Sequence, residues 1–408
     1  MTVAVAESAV ATLIGADAIR ERCRNIAAAV TAGRSRFFRI DRERLPDAAL
    51  RVAEVTRRRY PDLRIPYHSR WRHFNAGGVD RRVELDRALG GCSAADRARA
   101  HIDLVMVSVL LDAGAGPAWG YLEGESGQRY TRSEGLGVAS LRAFMQGAFS
   151  AIPEEPLRVD AAALASIDAP RLALLLQASP ANPLVGLDGR AALLRRLGSV
   201  LLTRRELFGA AARPGGLFDS LTAYGQRDTI AAAAILRALL KGLNAIWLTG
   251  STLDGVALGD AWRHPYAGGS GASAGWVPFH KLTQWLAYSM FEPFEWAGVA
   301  VSGRDELTGL PEYRNGGLLL DTGVLNFRDD ADALGPWEVG SELVVEWRAL
   351  TVTLLDELAT LVRERLGHPE LPLACILEGG TWAAGRELAL ELRGGDPPLG
   401  INSDGTVF

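Results

Sequence analysis

The sequence predicts a mainly α-helical protein with a few short β-strands, and two observations support this fold class. Apolar residues recur at steps of three and four along several long segments, which is the spacing of one buried helix face. The candidate strands are short and do not alternate regularly with helices, as a doubly wound sheet would require. We therefore predict a compact multi-helix fold.

The clearest helix is predicted for residues 341–365. Its apolar stripe consists of Leu343, Trp347, Leu350, Leu354, Leu358 and Leu361. Ser341 is expected to cap its start, and Gly367 is expected to end it. A helix of this length with one apolar face must pack against other elements, so it is expected to lie at the centre of a core.

Other elements follow from weaker patterns. Further helices are predicted after Asp168, with Pro170 in the first turn, and at 101–112, 190–208 and 228–248. Strand candidates are 298–302, 318–320, 374–377 and 388–392, and loops are expected at 151–153, 179–189 and 265–275. The chain is expected to form a single compact unit over 1–408, with a possible subdivision into 1–178 and 190–408 around a central cleft.

Composition excludes several classes of protein. Apolar residues make up 48% of the 408 residues, and the formal net charge is -4, which disfavours binding to nucleic acid. The three widely spaced cysteines argue against a disulfide framework and fit a reducing compartment. The N-terminal residues lack the basic region of a signal peptide, and the apolar run 104–111 is too short to span a bilayer. A cytoplasmic protein without a membrane segment is expected.

Motifs for metals and cofactors are missing. The sequence has no Walker A loop, no GxSxG elbow and no HExxH, and no two of its six histidines are spaced i,i+4. The glycine-rich segment 268–275 does not follow a predicted strand, so a flexible surface loop is favoured over a dinucleotide site. We expect neither a metal nor a cofactor.

Two aspartates stand out as candidate site residues. Asp112 ends a long apolar run and opens a turn rich in glycine that leads to Trp119. A carboxylate between a buried helix and a tight turn suits acid–base catalysis or stabilisation of a cation, although an Asp in this place can equally cap the turn. Asp260 has a similar setting, but a structural role is favoured more strongly there.

A second group of candidates combines acidic, basic and aromatic residues. Glu312, Tyr313 and Arg314 offer an acid, a phenol and a guanidinium before a glycine turn, and the competing interpretation is an exposed polar loop. Arg72 and His73 lie in the aromatic and basic segment 67–74 and could hold a phosphate.

Three further residues are assigned structural roles from the sequence. For Glu346 and Arg348, a solvated helix edge is favoured. The segment 378–382 is expected to be a loop that opens a helix; such an end can bind an anion, but simple capping by Thr381 is favoured.

Six segments together resemble the uracil-catabolism protein four family. They are 67–74, 103–119, 132–149, 311–324, 378–386 and 403–408, and they extend over nearly the whole chain. This resemblance implies a step of uracil degradation that runs through ring-opened UMP, with a ribosylurea intermediate that carries a 5-phosphate.

A more distant resemblance bears on the mechanism. The queuosine salvage proteins, which are queuosine 5′-phosphate N-glycosidases, carry an Asp-x-x-Asn-Phe-x-Phe-Trp segment, and Asp112 and Trp119 keep the same separation. Their Asp-Tyr-Arg turn corresponds to Glu312-Tyr313-Arg314, with Ala287-Tyr288-Ser289 as an alternative alignment. The aromatic residues after the Asp are replaced here by glycine, alanine and proline, which fits a smaller leaving group. The resemblance also implies a fold similar to that of the queuosine salvage proteins and the DNA glycosylases.

The two resemblances imply a metal-independent N-ribosyl hydrolase that releases urea from a ribosylurea phosphate. Asp112 would be the principal catalytic carboxylate, and Glu312 would orient water or the ribose hydroxyls. The predicted substrate-binding residues are Tyr313, Arg314, Trp119, Arg72, His73 and Asp260. The alternatives are a non-catalytic sensor or scaffold that binds a sugar phosphate, a metal-dependent amidohydrolase acting on the ureide, and a DNA-glycosylase-like repair protein.

Overall fold

Helices predominate in the computed structural model, which describes residues 9–112, 114–223 and 225–402. The helices are Ala16–Thr31, Leu45–Arg59, Trp71–Phe74, Arg81–Ala88, Ala94–Leu110, Arg132–Met145, Ala161–Ala165, Ala169–Leu175, Leu187–Thr203, Arg205–Phe208, Gly216–Thr222, Ala232–Leu243, Lys281–Trp296, Tyr313–Asp321, Glu342–Leu366, Leu373–Ile376 and Trp382–Arg393. The prediction of a mainly α-helical fold is confirmed.

The strands are two or three residues long and join in pairs. The antiparallel pairs are Phe38–Ile40 with Leu325–Phe327, Gly120–Leu122 with Arg129–Thr131, Thr252–Leu253 with Val256–Ala257, and Ala261–Arg263 with Trp276–Pro278. The parallel pairs are Thr229–Ala231 with Ala300–Ser302 and Trp337–Glu338 with Ile401–Asn402. Such pairs cannot form a core by themselves, so the helices must supply it.

The described residues form two compact units. The first unit comprises 9–68, 251–284 and 304–402, and the second comprises the described residues of 69–250 together with 285–303. The boundary expected between 178 and 190 lies inside the second unit. Sequence order does not mark these units, because each one is assembled from segments far apart in the chain.

The first unit is built around the long predicted helix. Glu342–Leu366 packs against Ala16–Thr31 and Leu45–Arg59. The leucines of its stripe at 343, 350, 354 and 358 are fully buried, and each contributes about 1.5–3 kcal/mol of hydrophobic stabilisation. Gly367 ends the helix with φ 67°, as predicted, whereas Ser341 occupies the N-cap position without a side-chain capping bond.

Three predicted strands in this unit are helical instead. Residues 318–320 belong to Tyr313–Asp321, residues 374–376 belong to Leu373–Ile376, and residues 388–392 belong to Trp382–Arg393. Short apolar runs do not distinguish a strand from a buried helical turn, and here tertiary packing favours the helix. The prediction at 298–302 is confirmed by the strand Ala300–Ser302.

The second unit contains the buried helix predicted before Asp112. This helix begins earlier than expected, at Ala94, where the Ser93 hydroxyl accepts a hydrogen bond from the Asp96 N–H. It packs against Arg132–Met145 and Gly216–Thr222. The predicted helix at 190–208 forms as Leu187–Thr203 and Arg205–Phe208, and the one at 228–248 forms as Ala232–Leu243.

Membrane-spanning helices were searched for within the described residues. None of the helices there combines the length and the apolar character that crossing a bilayer requires.

Candidate functional site

Asp112 lies just after the buried helix Ala94–Leu110 in the second unit. Its side chain is only 8% exposed, and its Oδ1 lies 2.8 Å from Nη1 of the fully buried Arg70. An adjacent guanidinium favours the charged form of a carboxylate. Asp112 therefore lies against a buried guanidinium and is largely shielded from solvent.

Arg70 is fixed by several neighbours. Its Nε donates to Ser108 Oγ at 2.7 Å, and its Nη1 donates to the Ser133 carbonyl at 3.2 Å. The same Nη1 lies 3.2 Å from His73 Nδ1, which must accept because a guanidinium has no acceptor. These contacts determine where the guanidinium points.

One nitrogen of Arg70 remains available. Nη2 has no hydrogen-bond partner within the part of the chain that the structure describes. Burial lowers the pKa of Arg70, and the negative charges of Asp112 and Glu134 oppose that shift. A buried cation with an unused donor beside a carboxylate is suited to binding a polar ligand.

A second arginine holds the turn that follows Asp112. Arg190 donates to the Leu111 carbonyl at 2.8 Å, to the Gly114 carbonyl at 3.2 Å and to the Val185 carbonyl. Burial lowers the pKa of Arg190 to about 10, against the opposing effect of the charge of Asp112. The turn after Asp112 is thus held through its backbone carbonyls.

The other predicted residues of the second unit have different settings. His73 packs against Gly137, where an added Cβ would lie 2.8 Å from His73 Cβ. Arg72 forms an ion pair with Glu292. Trp119 is fully buried, and its indole N–H donates to the Leu176 carbonyl at 3.0 Å. The structure therefore joins Asp112, Arg70 and His73 in one cluster, while Trp119 packs in the interior.

Glu312 lies in the first unit and caps a helix. Its carboxylate accepts the N–H of Asn315 at 2.6 Å and that of Arg314 at 2.7 Å, at the start of Tyr313–Asp321. Burial raises the pKa of Glu312, although these bonds and the positive charges of Lys281 and His68 oppose the shift. The carboxyl group consequently favours its protonated form more than an exposed glutamate does.

Tyr313 and Arg314 differ in exposure. Tyr313 is 37% exposed, whereas Arg314 is buried and donates to the Gly395 carbonyl at 3.2 Å. The interpretation of 312–314 as an exposed polar loop is wrong, because these residues begin a helix that packs against Trp382–Arg393.

Asp260, also in the first unit, has a full set of partners. It receives two hydrogen bonds from Arg348, at 2.8 and 2.7 Å, together with the Trp262 indole N–H at 2.7 Å and the Lys281 N–H at 3.0 Å. Burial disfavours its charge, but Arg348 and these bonds outweigh that effect and hold the pKa of Asp260 below its ordinary value. This pattern indicates a structural ion pair.

The solvated helix edge predicted for Glu346 and Arg348 is wrong, because both are fully buried. Arg348 binds Asp260, and Glu346 accepts a hydrogen bond from Ser35. The sequence does not show whether a charged residue beside an apolar stripe is buried or exposed, because the partners that would bury it lie far away in the chain.

A His–Glu pair in the first unit was not predicted. His68 Nδ1 lies 3.0 Å from Glu378 Oε2, and the other carboxylate oxygen accepts from Arg59 at 2.9 Å and from the Tyr60 hydroxyl at 3.1 Å. Burial opposes the charge of Glu378, yet the hydrogen bond from His68 and the charges of His68 and Arg59 hold its pKa below the ordinary value.

Glu378 lies in the π-helical turn Leu377–Thr381, where a loop was expected. Added Cβ atoms at Gly379 and Gly380 would lie 3.0 and 2.5 Å from Thr56 atoms, so the paired glycines allow the close packing of this turn. In the sequence these two glycines mark a position of close packing, but they do not identify the partner of Glu378.

The predicted site residues thus lie in two groups. Asp112, Arg72, His73 and Trp119 belong to the second unit, and Glu312, Tyr313, Arg314 and Asp260 belong to the first. Among the described residues, no group of three or more His, Cys, Asp or Glu is arranged to hold a metal ion. The matching segment 403–408 lies outside the described residues.

Comparison with known proteins identifies the family. A family model described as a protein of unknown function, DUF1688, matches residues 12–408, and the chain belongs to this family. "Uracil catabolism protein 4" of Lachancea kluyveri is 38% identical over 409 residues, covering 92% of this chain and 93% of that protein. "Protein urg3" of Schizosaccharomyces pombe is 39% identical over 416 residues, covering 98% and 99%. The resemblance to the uracil-catabolism family is confirmed, and the one to queuosine salvage proteins stays a prediction.

Proposed function

We propose that this protein is an N-ribosyl hydrolase of uracil catabolism that cleaves a ribosylurea 5-phosphate into urea and ribose 5-phosphate. A relative that covers nearly the whole chain is named for uracil catabolism, which supports the pathway. The proposed reaction needs neither a metal nor a cofactor, and it takes place in the cytoplasm. The substrate is a small sugar phosphate rather than a nucleic acid, in keeping with the net charge of -4.

The buried pair of Asp112 and Arg70 is the observation that carries this proposal. Breaking a ribosyl C–N bond develops positive charge on the ribose ring, and a fixed carboxylate stabilises that charge. Asp112 is a suitable group because it is largely buried, lies 2.8 Å from Arg70 and follows a well-packed helix. Arg70 Nη2, which has no partner in the described part of the chain, would donate to a substrate oxygen.

The proposed reaction proceeds by attack of water on C1 of the ribose. The C–N bond breaks, and its electron pair stays on the urea nitrogen, which takes up a proton. The water oxygen forms the new bond to C1 and loses a proton, so the products are neutral urea and ribose 5-phosphate. Asp112 stabilises the cationic ring through this step.

The remaining assignments rest on the resemblances. Glu312 would orient water or the ribose hydroxyls, and Tyr313 and Arg314 would position the sugar phosphate. Arg72 and His73 are weaker candidates for the phosphate. The hydrogen bonds of Glu312, Arg314 and Asp260 to their own surroundings mean that each substitution must be tested for folding as well as for turnover.

The test is incubation of purified, metal-stripped protein with ribosylurea 5-phosphate. Equimolar release of urea and ribose 5-phosphate is expected, with loss of both products in Asp112→Asn. Ammonia in place of urea would indicate an amidohydrolase acting on the ureide. Binding without any product would replace the hydrolase with a sensor or scaffold of the same pathway. Salt-sensitive DNA binding would favour a repair protein.

A further inference from the structure

Arg22, in the helix Ala16–Thr31 of the first unit, is a buried arginine with few acceptors. The residue is 2% exposed, and within the described residues its Nε and Nη1 have no hydrogen-bond partner. Its Nη2 donates to Ser273 Oγ at the long distance of 3.4 Å. Glu21 Oε1 lies 3.8 Å from Arg22 Nη1, and the Glu21 side chain is more than half exposed. The guanidinium charge is therefore poorly compensated.

The glycine-rich loop of the sequence lies directly over this guanidinium. A Cβ added to Gly269 would lie 1.8 Å from Arg22 Nη1, and one added to Gly268 would lie 2.6 Å from Asn25 Nδ2. Both glycines have a positive φ, at 88° and 74°, and both are exposed. Only glycine lets the backbone approach Arg22 this closely, so the composition of the loop and the position of the arginine are linked.

Burying an unpaired charge is unfavourable, and such groups are normally paired with an opposite charge. The loop covers Arg22 without providing an acceptor for Nε or Nη1. Nε and Nη1 therefore still lack a hydrogen-bond acceptor among the described residues, and a tetrahedral oxyanion with several oxygens satisfies such a group well. A phosphate group is the ligand of this chemistry that proteins most often bind with arginine and a glycine-rich loop.

We propose that Arg22 and the glycine loop 267–275 form a binding site for a phosphate group, either inorganic phosphate or the phosphate of a small monoester. The loop opens to admit the anion and closes over it, and the Ser273 hydroxyl contributes a further hydrogen bond. This proposal does not depend on the proposed hydrolase activity.

The experiment measures binding of inorganic phosphate to the full-length protein by calorimetry and by the shift in melting temperature, in a buffer free of other oxyanions. The test variant is Arg22→Met, which keeps the length of the side chain and removes its charge. The matched control is Arg24→Met, which removes an exposed arginine from the same helix. Ser273→Ala tests the second contact.

We expect phosphate to raise the melting temperature of the wild type and of Arg24→Met equally, and not that of Arg22→Met. Ser273→Ala should weaken phosphate binding several-fold. Without phosphate, Arg22→Met should be at least as stable as the wild type, because it removes an uncompensated buried charge. A purely structural arginine would instead make Arg22→Met less stable in every buffer, with the phosphate response unchanged, and this result would overturn the proposal.

Hydrogen exchange of the wild type provides a test that does not depend on whether a variant folds correctly. Phosphate should slow exchange of the amides in 267–275 and leave those near Asp112 unchanged. Repeating the titration with ribose 5-phosphate distinguishes the source of the phosphate group. Tighter binding than inorganic phosphate, lost in Arg22→Met, identifies a sugar phosphate as the ligand, and equal binding identifies phosphate alone. No slowing of loop exchange with either ligand would rule the site out.

Discussion

Each unit contains a buried aspartate paired with a buried arginine, and the two pairs differ in how fully they are satisfied. In the first unit, Asp260 takes two hydrogen bonds from Arg348 and two more from Trp262 and Lys281. In the second unit, Asp112 Oδ1 lies 2.8 Å from Arg70 Nη1, and Arg70 Nη2 has no hydrogen-bond partner among the described residues. The Asp260 carboxylate is therefore saturated with hydrogen bonds, whereas Arg70 beside Asp112 keeps one terminal nitrogen unused.

This difference separates a structural pair from a candidate site. A buried carboxylate whose hydrogen bonds are all met needs nothing further, whereas the unused terminal nitrogen of Arg70 can donate to a ligand. The sequence placed both aspartates in similar settings, each followed by alanine and close to glycine, with a tryptophan further along the chain. Mutation of Asp112 should consequently reduce turnover, whereas mutation of Asp260 should reduce stability.

The largest effect is expected for Asp112→Asn. The change keeps the shape of the side chain and removes the charge that would stabilise the cationic ring, so turnover of ribosylurea 5-phosphate should fall about 10²- to 10⁴-fold. Urea release under saturating substrate measures this. Substrate affinity, measured by calorimetry, should change much less. Turnover within a factor of two of the wild type would remove Asp112 from the mechanism.

The next effect concerns stability and is expected for Asp260→Asn. Removing one partner of a buried ion pair leaves the other uncompensated, which costs about 3–5 kcal/mol in the free energy of unfolding. Urea denaturation gives this value. The control is Asp47→Asn, because Asp47 is exposed and lies 3.6 Å from Arg44, and such surface pairs contribute about 1 kcal/mol or less. If Asp260→Asn were as stable as this control, the contrast between the two aspartates would fail.

Periodicity explains why the main features of the fold could be predicted. The stripe from Leu343 to Leu358 records the buried face of one helix within a single stretch of chain, and Gly367 marks its end. The strand predictions at 318–320 and 388–392 were wrong because segments of three or five mainly apolar residues fit either structure. At 318–320, an interpretation of Glu312 as a helix N-cap would have predicted the helix Tyr313–Asp321 instead.

The candidate site was only partly predictable, because its contacts join distant segments. Asp112 was found from its position between an apolar run and a glycine turn. Its partner Arg70 lies 42 positions earlier, in a segment noted only as basic and aromatic. The pairing of His68 with Glu378 spans 310 positions, so no local pattern could reveal it. Arg22 and the loop at Gly269 are joined in the same way.

Glu378→Gln should lower stability in a manner that depends on pH. The pKa of Glu378 is depressed in the folded protein from its ordinary value of 4.5, so its carboxylate stabilises the fold above that pH. We expect the variant to lose about 1–3 kcal/mol near pH 7, since a hydrogen-bonded charge is removed. Below pH 4.5 the difference in stability between the wild type and the variant should decrease as the wild-type carboxylate is protonated. Urea denaturation at several pH values measures the trend, and a gap that is constant across this range would contradict it.

The smallest effect is expected for Glu312→Gln, and it has the opposite sign with pH. Burial raises the pKa of Glu312, so its contribution to stability is fully present below 4.5 and is lost as the pH rises through the folded value. Because the variant does not ionise, its free energy of unfolding should rise relative to that of the wild type as the pH increases. The rise should be less than about 1 kcal/mol, because the capping bonds to Arg314 and Asn315 favour the carboxylate. Denaturation of Glu312→Gln and Glu378→Gln at the same pH values should show differences in stability from the wild type that change with pH in opposite directions. If both differences in stability widened together as the pH rose, Glu312 would be an ordinary ionised helix cap, and its predicted role in orienting water or the ribose hydroxyls would rest on turnover measurements alone.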